Sequence, residues 1–435
     1  MSTVRFDPAR GLRGTVEPPP DKSMSHRAAL IGGMSEGETQ ISNYLDAADT
    51  NSTLAAVAAL GADVARDGTS VVVRGVGPRG TVVPDADIDV GNAGTLMRLL
   101  PGWLAAQDGR AFTLDGDASI RRRPVDRIAT PLRLMGARID ATDGRLPPFT
   151  IHGTALRATT YEMPMASAQV KSCVLLAGLL ADGGPTTVVE PQRSRDHTER
   201  MLAAVGATVR RDGLRVSVEG VESLSATAIR VPADISSAAF LIVAAVLVAG
   251  SDLTLRAVNV NWTRTGLLSI LDRMGAVVEG EREADPGDAV PAVDPVSDLR
   301  IVAGPLQATT VEADEVPLAI DELPLVALLG VFAEGETVVR GAQELRVKES
   351  DRIATVVDGL TALGAQIEAT DDGFVVTGTG SLRGGTIASH GDHRLAMLGA
   401  VAGLASREGV TVEGMDAAAV SYPTFERDIA TLIAR

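Results

Sequence analysis

One pattern recurs along the chain and limits its fold more than any other feature. A helix-like run closes on Leu-Gly-Ala or a near variant, and short β-like runs around a turn follow. Five copies are legible: LAAVAALGADVARDGTSVVVRG, PLRLMGARIDATDGRLPPFTIHG, MLAAVGATVRRDGLRVSVEG, ILDRMGAVVEGE and LTALGAQIEATDDGFVVTGTG. Their marker glycines are Gly61, Gly136, Gly206, Gly275 and Gly364. Each glycine suits a helix C-cap at positive φ, and each Asp-Gly suits a hairpin turn. The alternation in SVVVRG and LRVSVEG is that of half-buried strands. The copies lie roughly 70 to 90 residues apart, wider than ordinary solenoid periods. Each unit therefore reads as a small α/β module of one or two helices and several strands.

The 435 residues are enough for two domains, and 45% apolar content supplies their cores. The formal charge of -16 gives no general attraction to nucleic acid or anionic membrane surfaces. An anionic substrate must then be held by a local cluster of cations against the overall field. The single cysteine excludes an internal disulfide and a cysteine-rich zinc site. MSTVRFDPARG lacks the apolar core of a signal peptide, so a cytoplasmic protein is expected. The apolar run Ala238–Gly250 is too short to span a bilayer and reads as a buried helix, with Asp234, Ser236 and Ser237 as cap-like residues before it. Met165–Ala181 and Leu318–Phe332, the latter interrupted by Pro324, are further apolar helix candidates. Glu281–Asp298 has the composition of an exposed loop and reads as a poor place for chemistry.

Cations recur where helices are expected to start. In PPPDKSMSHR, Asp21 or Ser23 can cap a helix that carries Lys22 at its start and Arg27 about a turn later, a plausible anion-binding terminus. In GNAGTLMR, Gly94 permits close backbone approach ahead of Arg98, but the glycine spacing is not that of a nucleotide-binding loop. Arg121, Arg122 and Arg123 are adjacent, so one or two should point inwards. Ser167, Gln169 and Lys171 begin an apolar helix, where they could donate to an anion, while Cys173 reads as core. Ser194 and Arg195 precede another helix. Asp321 and Glu322 interrupt an apolar region as caps or as a positioned base. Lys348 and Arg352, four apart, should share a helix face with Glu349 among cations. Asp392, His393 and Arg394 open a last helix. The five histidines form no helical zinc pair, and no nucleophile elbow is present. Cations with a few carboxylates beside them suit a polyanionic small molecule and proton movement near it.

From DKSMSHR through GNAGTLMR, RRRP, SAQVKS, SRDHTERM, AIDELP and VKESDR to GDHRLAM, the chain resembles the 5-enolpyruvylshikimate-3-phosphate synthase family. The sister family acting on UDP-N-acetylglucosamine has an active-site cysteine loop without a counterpart here. The resemblance implies a two-domain inside-out α/β barrel, each domain holding three βαβαββ modules around a pseudo-threefold axis. It places residues 1–18 and 230–435 in one domain and 19–229 in the other, with two chain crossings and an active site in the cleft between them. The implied substrates are shikimate 3-phosphate and phosphoenolpyruvate, used by a monomer without metal or organic cofactor. The implied shikimate 3-phosphate site is Lys22, Ser23, Arg27, Ser167, Ala168, Gln169, Ser194, Arg195, Asp321 and Lys348. Lys22, Gly94, Arg123, Gln169, Arg352 and Arg394 would take phosphoenolpyruvate. Asp321, Glu349 and Lys22 would be catalytic. Three positions depart from the family pattern: Ala168 replaces a serine of some members, Leu99 a proline of many, and Val420 a lysine of some.

Overall fold

The computed structural model describes Ser2–Ile433. The chain divides into two compact units. The inserted unit comprises Pro20–Val231 together with Asp285–Asp294. The terminal unit comprises the chain up to Pro19, Pro232–Ala284 and the chain from Pro295 on.

The inserted unit contains three modules of the same build. Helices α1 (Lys22–Met34), α3 (Gly94–Leu104) and α5 (Ala168–Gly178) are buried along most of their length. Of their partners, α2 (Ala48–Ala59) and α4 (Asp126–Leu134) are buried on one side, while α6 (His197–Ala204) is buried all round over His197–Leu202. Each module has a four-stranded sheet. In the third, Thr160–Glu162 runs parallel to Thr186–Val189, which pairs antiparallel with Arg215–Val218 of a hairpin completed by Val209–Asp212. The strands alternate buried and exposed positions, as in the pattern eBiB of Arg215–Val218. A sheet with one face on the core and one on solvent requires this alternation. Helices wrapped by sheets in this way give the inside-out α/β arrangement.

The terminal unit repeats the plan. Its buried helices are α7 (Ile235–Leu247), α10 (Leu323–Phe332) and α12 (His393–Ala405). Between and after them lie α8 (Gly266–Arg273), the single turn α9 (Val316–Ala319), α11 (Arg352–Ala362) and α13 (Phe425–Leu432). α7 is apolar on every side because every side is buried. Asp234 caps it as the sequence predicts, accepting from Ser236 N at 2.9 Å. Among the described residues no helix is long and apolar enough to cross a membrane.

The marker glycines Gly61, Gly136, Gly206, Gly275 and Gly364 all have positive φ, between 83° and 110°. The sixth module has no marker because it is assembled differently. Gly385–Ala388 runs parallel to Val410–Glu413, and the N-terminal strand Thr3–Phe6 pairs antiparallel with the latter, giving three strands and no hairpin.

Three sequence expectations change. The apolar stretch Leu318–Phe332 is not one helix interrupted at Pro324. It breaks at Ile320–Glu322, and Pro324 sits in the first turn of α10, where a missing N–H costs nothing. Lys348 and Arg352 do not share a helix, since Lys348 ends the 3₁₀ turn Gln343–Val347 and α11 begins at Arg352 behind its cap Asp351. Asp285–Asp294 does not belong with the rest of 230–435. It is held by side chains of the inserted unit, so the chain passes between units four times rather than twice.

Candidate active site

In the inserted unit the expected residues collect at the starts of the buried helices. Asp21 fixes the start of α1 by accepting from Met24 N at 2.8 Å. Lys22 Nζ lies 3.1 Å from Asp49 Oδ2 at the start of α2, with both side chains mostly buried. Arg27, buried on α1, donates to Thr198 Oγ1 at 2.7 Å, Ser172 Oγ at 2.9 Å and the carbonyl of Ser23 at 2.9 Å. These bonds fix the planar guanidinium through two hydroxyls and a backbone carbonyl.

α3 opens on Gly94 with no side-chain cap. A Cβ at Gly94 would meet Arg123 Nη1 at 2.8 Å and Arg98 Nη1 at 3.0 Å, so the glycine admits two guanidiniums against the backbone. Arg123 also donates to Asn92 Oδ1 and Ser119 Oγ, each at 3.1 Å. Arg121 turns outward instead, 2.5 Å from Asp115, and Arg122 is exposed. Of the three adjacent arginines, then, Arg123 is the one brought to the start of α3.

α5 opens on Ser167, whose hydroxyl accepts from Val170 N at 3.4 Å, followed by Ala168. Gln169 donates to Thr95 Oγ1 at 3.1 Å and accepts from Arg98 Nη1 at 3.2 Å, joining α5 to α3. The sequence expectation omitted Arg98 from the site, although GNAGTLMR already placed it one turn after Gly94.

Lys171 does not act as the expected anion donor. It is fully buried, 3.0 Å from Glu190 Oε2 and 2.7 Å from Glu199 Oε1, and donates to the carbonyl of Ser194 at 3.2 Å. Arg211 joins the cluster at 3.2 Å from Glu199. Burial opposes the Lys171 charge, but Glu190 and Glu199 outweigh it and raise its pKa. Glu190 also accepts from Ser194 N at 3.1 Å and from the Ser194 hydroxyl. The cluster therefore sets the backbone that carries Ser194 and Arg195. Nothing in the local sequence pairs Lys171 with Glu190, so only the fold reveals it. Cys173 is buried, which raises its thiol pKa, as expected of a core residue.

In the terminal unit the starts of the buried helices carry acids. Asp392 caps α12 by accepting from Arg394 N at 2.9 Å. Arg352, the first residue of α11 and almost wholly buried, meets three carboxylates: Asp392 Oδ2 at 2.8 Å, Glu349 Oε2 at 2.5 Å and Asp321 Oδ1 at 3.3 Å. Burial disfavours its charge, yet Asp392, Glu349 and Asp321 together push its pKa up. Burial likewise works to raise Asp392, and Arg352 reverses the sign and leaves it low. Arg394 Nη2 lies 3.5 Å from the other oxygen of Asp321, and its Nη1 lies 3.9 Å from Glu322. Asp321 is thus oriented by two guanidiniums. Glu322 accepts from the Ser236 hydroxyl, which itself accepts from Arg264 Nη2 at 2.7 Å. Glu322, Ser236 and Arg264 form a buried polar chain next to this cluster; the sequence singles out Ser236 and Glu322 as cap-like residues, but not Arg264 or the link among the three. Lys348 lies 3.4 Å from Glu344, apart from the Arg352 cluster.

Each unit thus holds a set of cations and acids at the starts of its own buried helices. This is suited to a phosphorylated, carboxylated small molecule and to directed proton transfer.

Comparison with known proteins agrees over nearly the full length. The family model described as EPSP synthase (3-phosphoshikimate 1-carboxyvinyltransferase) matches residues 6–429. The 3-phosphoshikimate 1-carboxyvinyltransferase of Geobacillus kaustophilus is 48% identical over 427 residues, covering 97% of this chain and 98% of the relative. That of Geobacillus thermodenitrificans is 47% identical over 425 residues, covering 97% of each. A solved EPSP synthase structure from Acinetobacter baumannii superposes with a TM-score of 0.86 at 42% identity, over 99% of this chain and 98% of that one. With its modules, its charged helix starts and its full-length relatives in agreement, the chain belongs to the EPSP synthase family.

Proposed function

We propose that these residues bind phosphoenolpyruvate and shikimate 3-phosphate and carry out an addition–elimination. As a member of this family the chain transfers the enolpyruvyl group of phosphoenolpyruvate to shikimate 3-phosphate. The assignments to individual residues are our reading of the geometry.

Arg123, Arg352 and Arg394, with Lys22 and the backbone at Gly94, take the carboxylate and phosphate of phosphoenolpyruvate. Ser167, Ala168, Gln169, Ser194 and Arg195 take the phosphate end of shikimate 3-phosphate, Ala168 through its backbone N–H alone. Ser23 and Arg27 hold the carboxylate side, Lys348 touches the shikimate side, and Gln169 bridges the two ligands. In the addition, the methylene carbon of phosphoenolpyruvate gains a proton and the 5-hydroxyl oxygen bonds to the neighbouring carbon while losing its own. In the elimination, the C–O bond to phosphate breaks and the new methyl group gives up a proton. The products are the enolpyruvyl ether and inorganic phosphate, and the proton count balances. Asp321 orients the attacking hydroxyl and receives its proton, and Glu349 and Lys22 move the proton at carbon. The cations stabilise oxygens that gain charge, and a site closed around both ligands excludes water. The proposed setting is a cytoplasmic monomer.

The observation that best supports this reading is Asp321 held by Arg352 at 3.3 Å and Arg394 at 3.5 Å, with Glu349 on the same Arg352. Its two carboxylates are fixed beside cations suited to an anionic ligand. To test it, purified protein is mixed with both substrates, and phosphate and the enolpyruvyl ether are followed together. A parallel sample contains UDP-N-acetylglucosamine instead of shikimate 3-phosphate. Both products should form together, and only with shikimate 3-phosphate. Turnover confined to the UDP-sugar would transfer the assignment to the sister reaction.

A further inference from the structure

The segment Asp285–Asp294 arises between two strands of the terminal unit, Val277–Glu279 and Val296–Val302, yet is counted with the inserted unit. Its contacts there concentrate on one short stretch. Asp285 Oδ1 lies 2.5 Å from Arg193 Nη1 and also accepts from Gly287 N at 2.8 Å. Asp288 accepts from Gly213 N at 2.8 Å and lies 3.7 Å from Arg193 Nη2. The carbonyl of Val293 accepts from Arg200 Nη1 at 3.0 Å. Asp294 Oδ1 lies 2.9 Å from His197 Nδ1, and both side chains are buried. Arg193 precedes Ser194 and Arg195, while His197 and Arg200 follow them. The segment therefore grips both flanks of the turn whose backbone Glu190 and Lys171 hold from the other side.

We infer that Asp285–Asp294 is a strap that positions Ser194 and Arg195 for the phosphate of shikimate 3-phosphate. The inference rests on the assignment of that phosphate to Ser194 and Arg195. Three aspartates near a dianion would repel it if they faced it. Here Oδ1 of each meets Arg193, His197 or a backbone N–H group, so these oxygens act as anchors for the segment. A turn fixed before the ligand arrives spares the ordering cost that a loose one would impose on binding. The strap residues are positioning residues, since they act through Arg193, His197 and Arg200.

The test measures binding of shikimate 3-phosphate and of shikimate, which lacks the phosphate, by calorimetry. The proteins are wild type, a variant with residues 285–294 replaced by a Gly-Ser segment of equal length, Asp294→Ala, Asp294→Asn and Arg195→Ala. The strap replacement and Asp294→Ala should weaken shikimate 3-phosphate roughly tenfold and leave shikimate unchanged, with Asn at 294 recovering most of the loss. If the replacement does not fold, the two Asp294 variants carry the test. Selective loss in Arg195→Ala but not in the strap variants would overturn the strap. Equal loss of both ligands in the strap variants would also overturn it, by showing general loosening. An unchanged affinity in Arg195→Ala would remove the phosphate assignment itself and the inference built upon it.

Discussion

The two units share a module but start their buried helices differently. In the terminal unit α7, α10 and α12 begin behind Asp234, Glu322 and Asp392. In the inserted unit α3 and α5 begin behind Ala93 and Ser167, and only α1 has an acid, Asp21. The positive end of a helix favours an anion. The terminal unit supplies that anion from its own chain, and the same acids face arginines: Asp392 meets Arg352 at 2.8 Å, Glu322 meets Arg394 at 3.9 Å and Asp234 meets Arg264 at 2.9 Å. In the inserted unit the caps of α3 and α5 are Ala93 and Ser167, and the partners of Arg27, Arg98 and Arg123 include hydroxyls and side-chain amides. In the proposed reading both units supply cations for the anions, while the two carboxylates that move protons, Asp321 and Glu349, both belong to the terminal unit.

The contrast predicts different kinetic faults on the two sides. Asp321→Asn and Glu349→Gln should lower kcat by roughly 10²- to 10⁴-fold with little change in substrate affinity. Arg27→Met should instead raise KM for shikimate 3-phosphate by roughly 10- to 100-fold, with kcat nearly preserved. Steady-state kinetics with each substrate varied separately, on variants with unchanged circular dichroism, make the comparison. If Arg27→Met fell mainly in kcat, or Asp321→Asn mainly in KM, the division of labour would be wrong.

Much of this was legible before any coordinates. Five modules announced themselves through a C-cap glycine and a following hairpin, because both features are local and depend on φ. The sixth did not, because its third strand is Thr3–Phe6, some 400 residues away along the chain. The first strands of two other modules also come from segments distant in sequence, Ala228–Arg230 paired with Gln40–Ser42 and Arg13–Val16 paired with Asp252–Leu255. Site residues at helix starts were legible because caps and cations stand together in the sequence. The supports were not. Lys171 with Glu190 and Glu199, and Arg264 with Ser236 and Glu322, join residues on different elements, and a buried charge looks like any other charge until its partner is known. The strap's contacts were not legible for the related reason that this largely exposed loop meets arginines and a histidine far away in the sequence.

A smaller effect is expected at Gly94. Gly94→Ala places a methyl carbon 2.8 Å from Arg123 Nη1 and 3.0 Å from Arg98 Nη1, and both guanidiniums must shift. In the inserted unit such a shift should appear as weaker binding, with KM for phosphoenolpyruvate rising roughly tenfold and affinity for shikimate 3-phosphate, measured without phosphoenolpyruvate, changing far less. Equal loss for both ligands would mean that the glycine serves the unit's packing rather than one ligand.

The mildest test concerns how each half responds to acid. In the inserted unit His26 lies buried on α1 with Nδ1 2.6 Å from Thr53 Oγ1 of α2. Burial drives its pKa from 6.5 down to about 3, opposed by Asp49 and reinforced by Lys22 and Arg27. Between those values the unfolded chain binds a proton that the folded chain refuses, so stability falls as pH falls, by on the order of 1 kcal/mol per pH unit. Asp392 in the terminal unit also has a lowered pKa, and its contribution is lost only as pH drops through the carboxylate range. His26→Gln keeps a polar partner for Thr53 and removes the titration. Trp103, buried in the inserted unit, reports urea unfolding of that unit once Trp262 is changed to Phe. The stability difference between the His26 protein and its Gln variant should shift steadily against histidine from pH 6.5 to pH 4. A difference that stays constant over this range would mean that the folded chain protonates His26 as readily as the unfolded chain does.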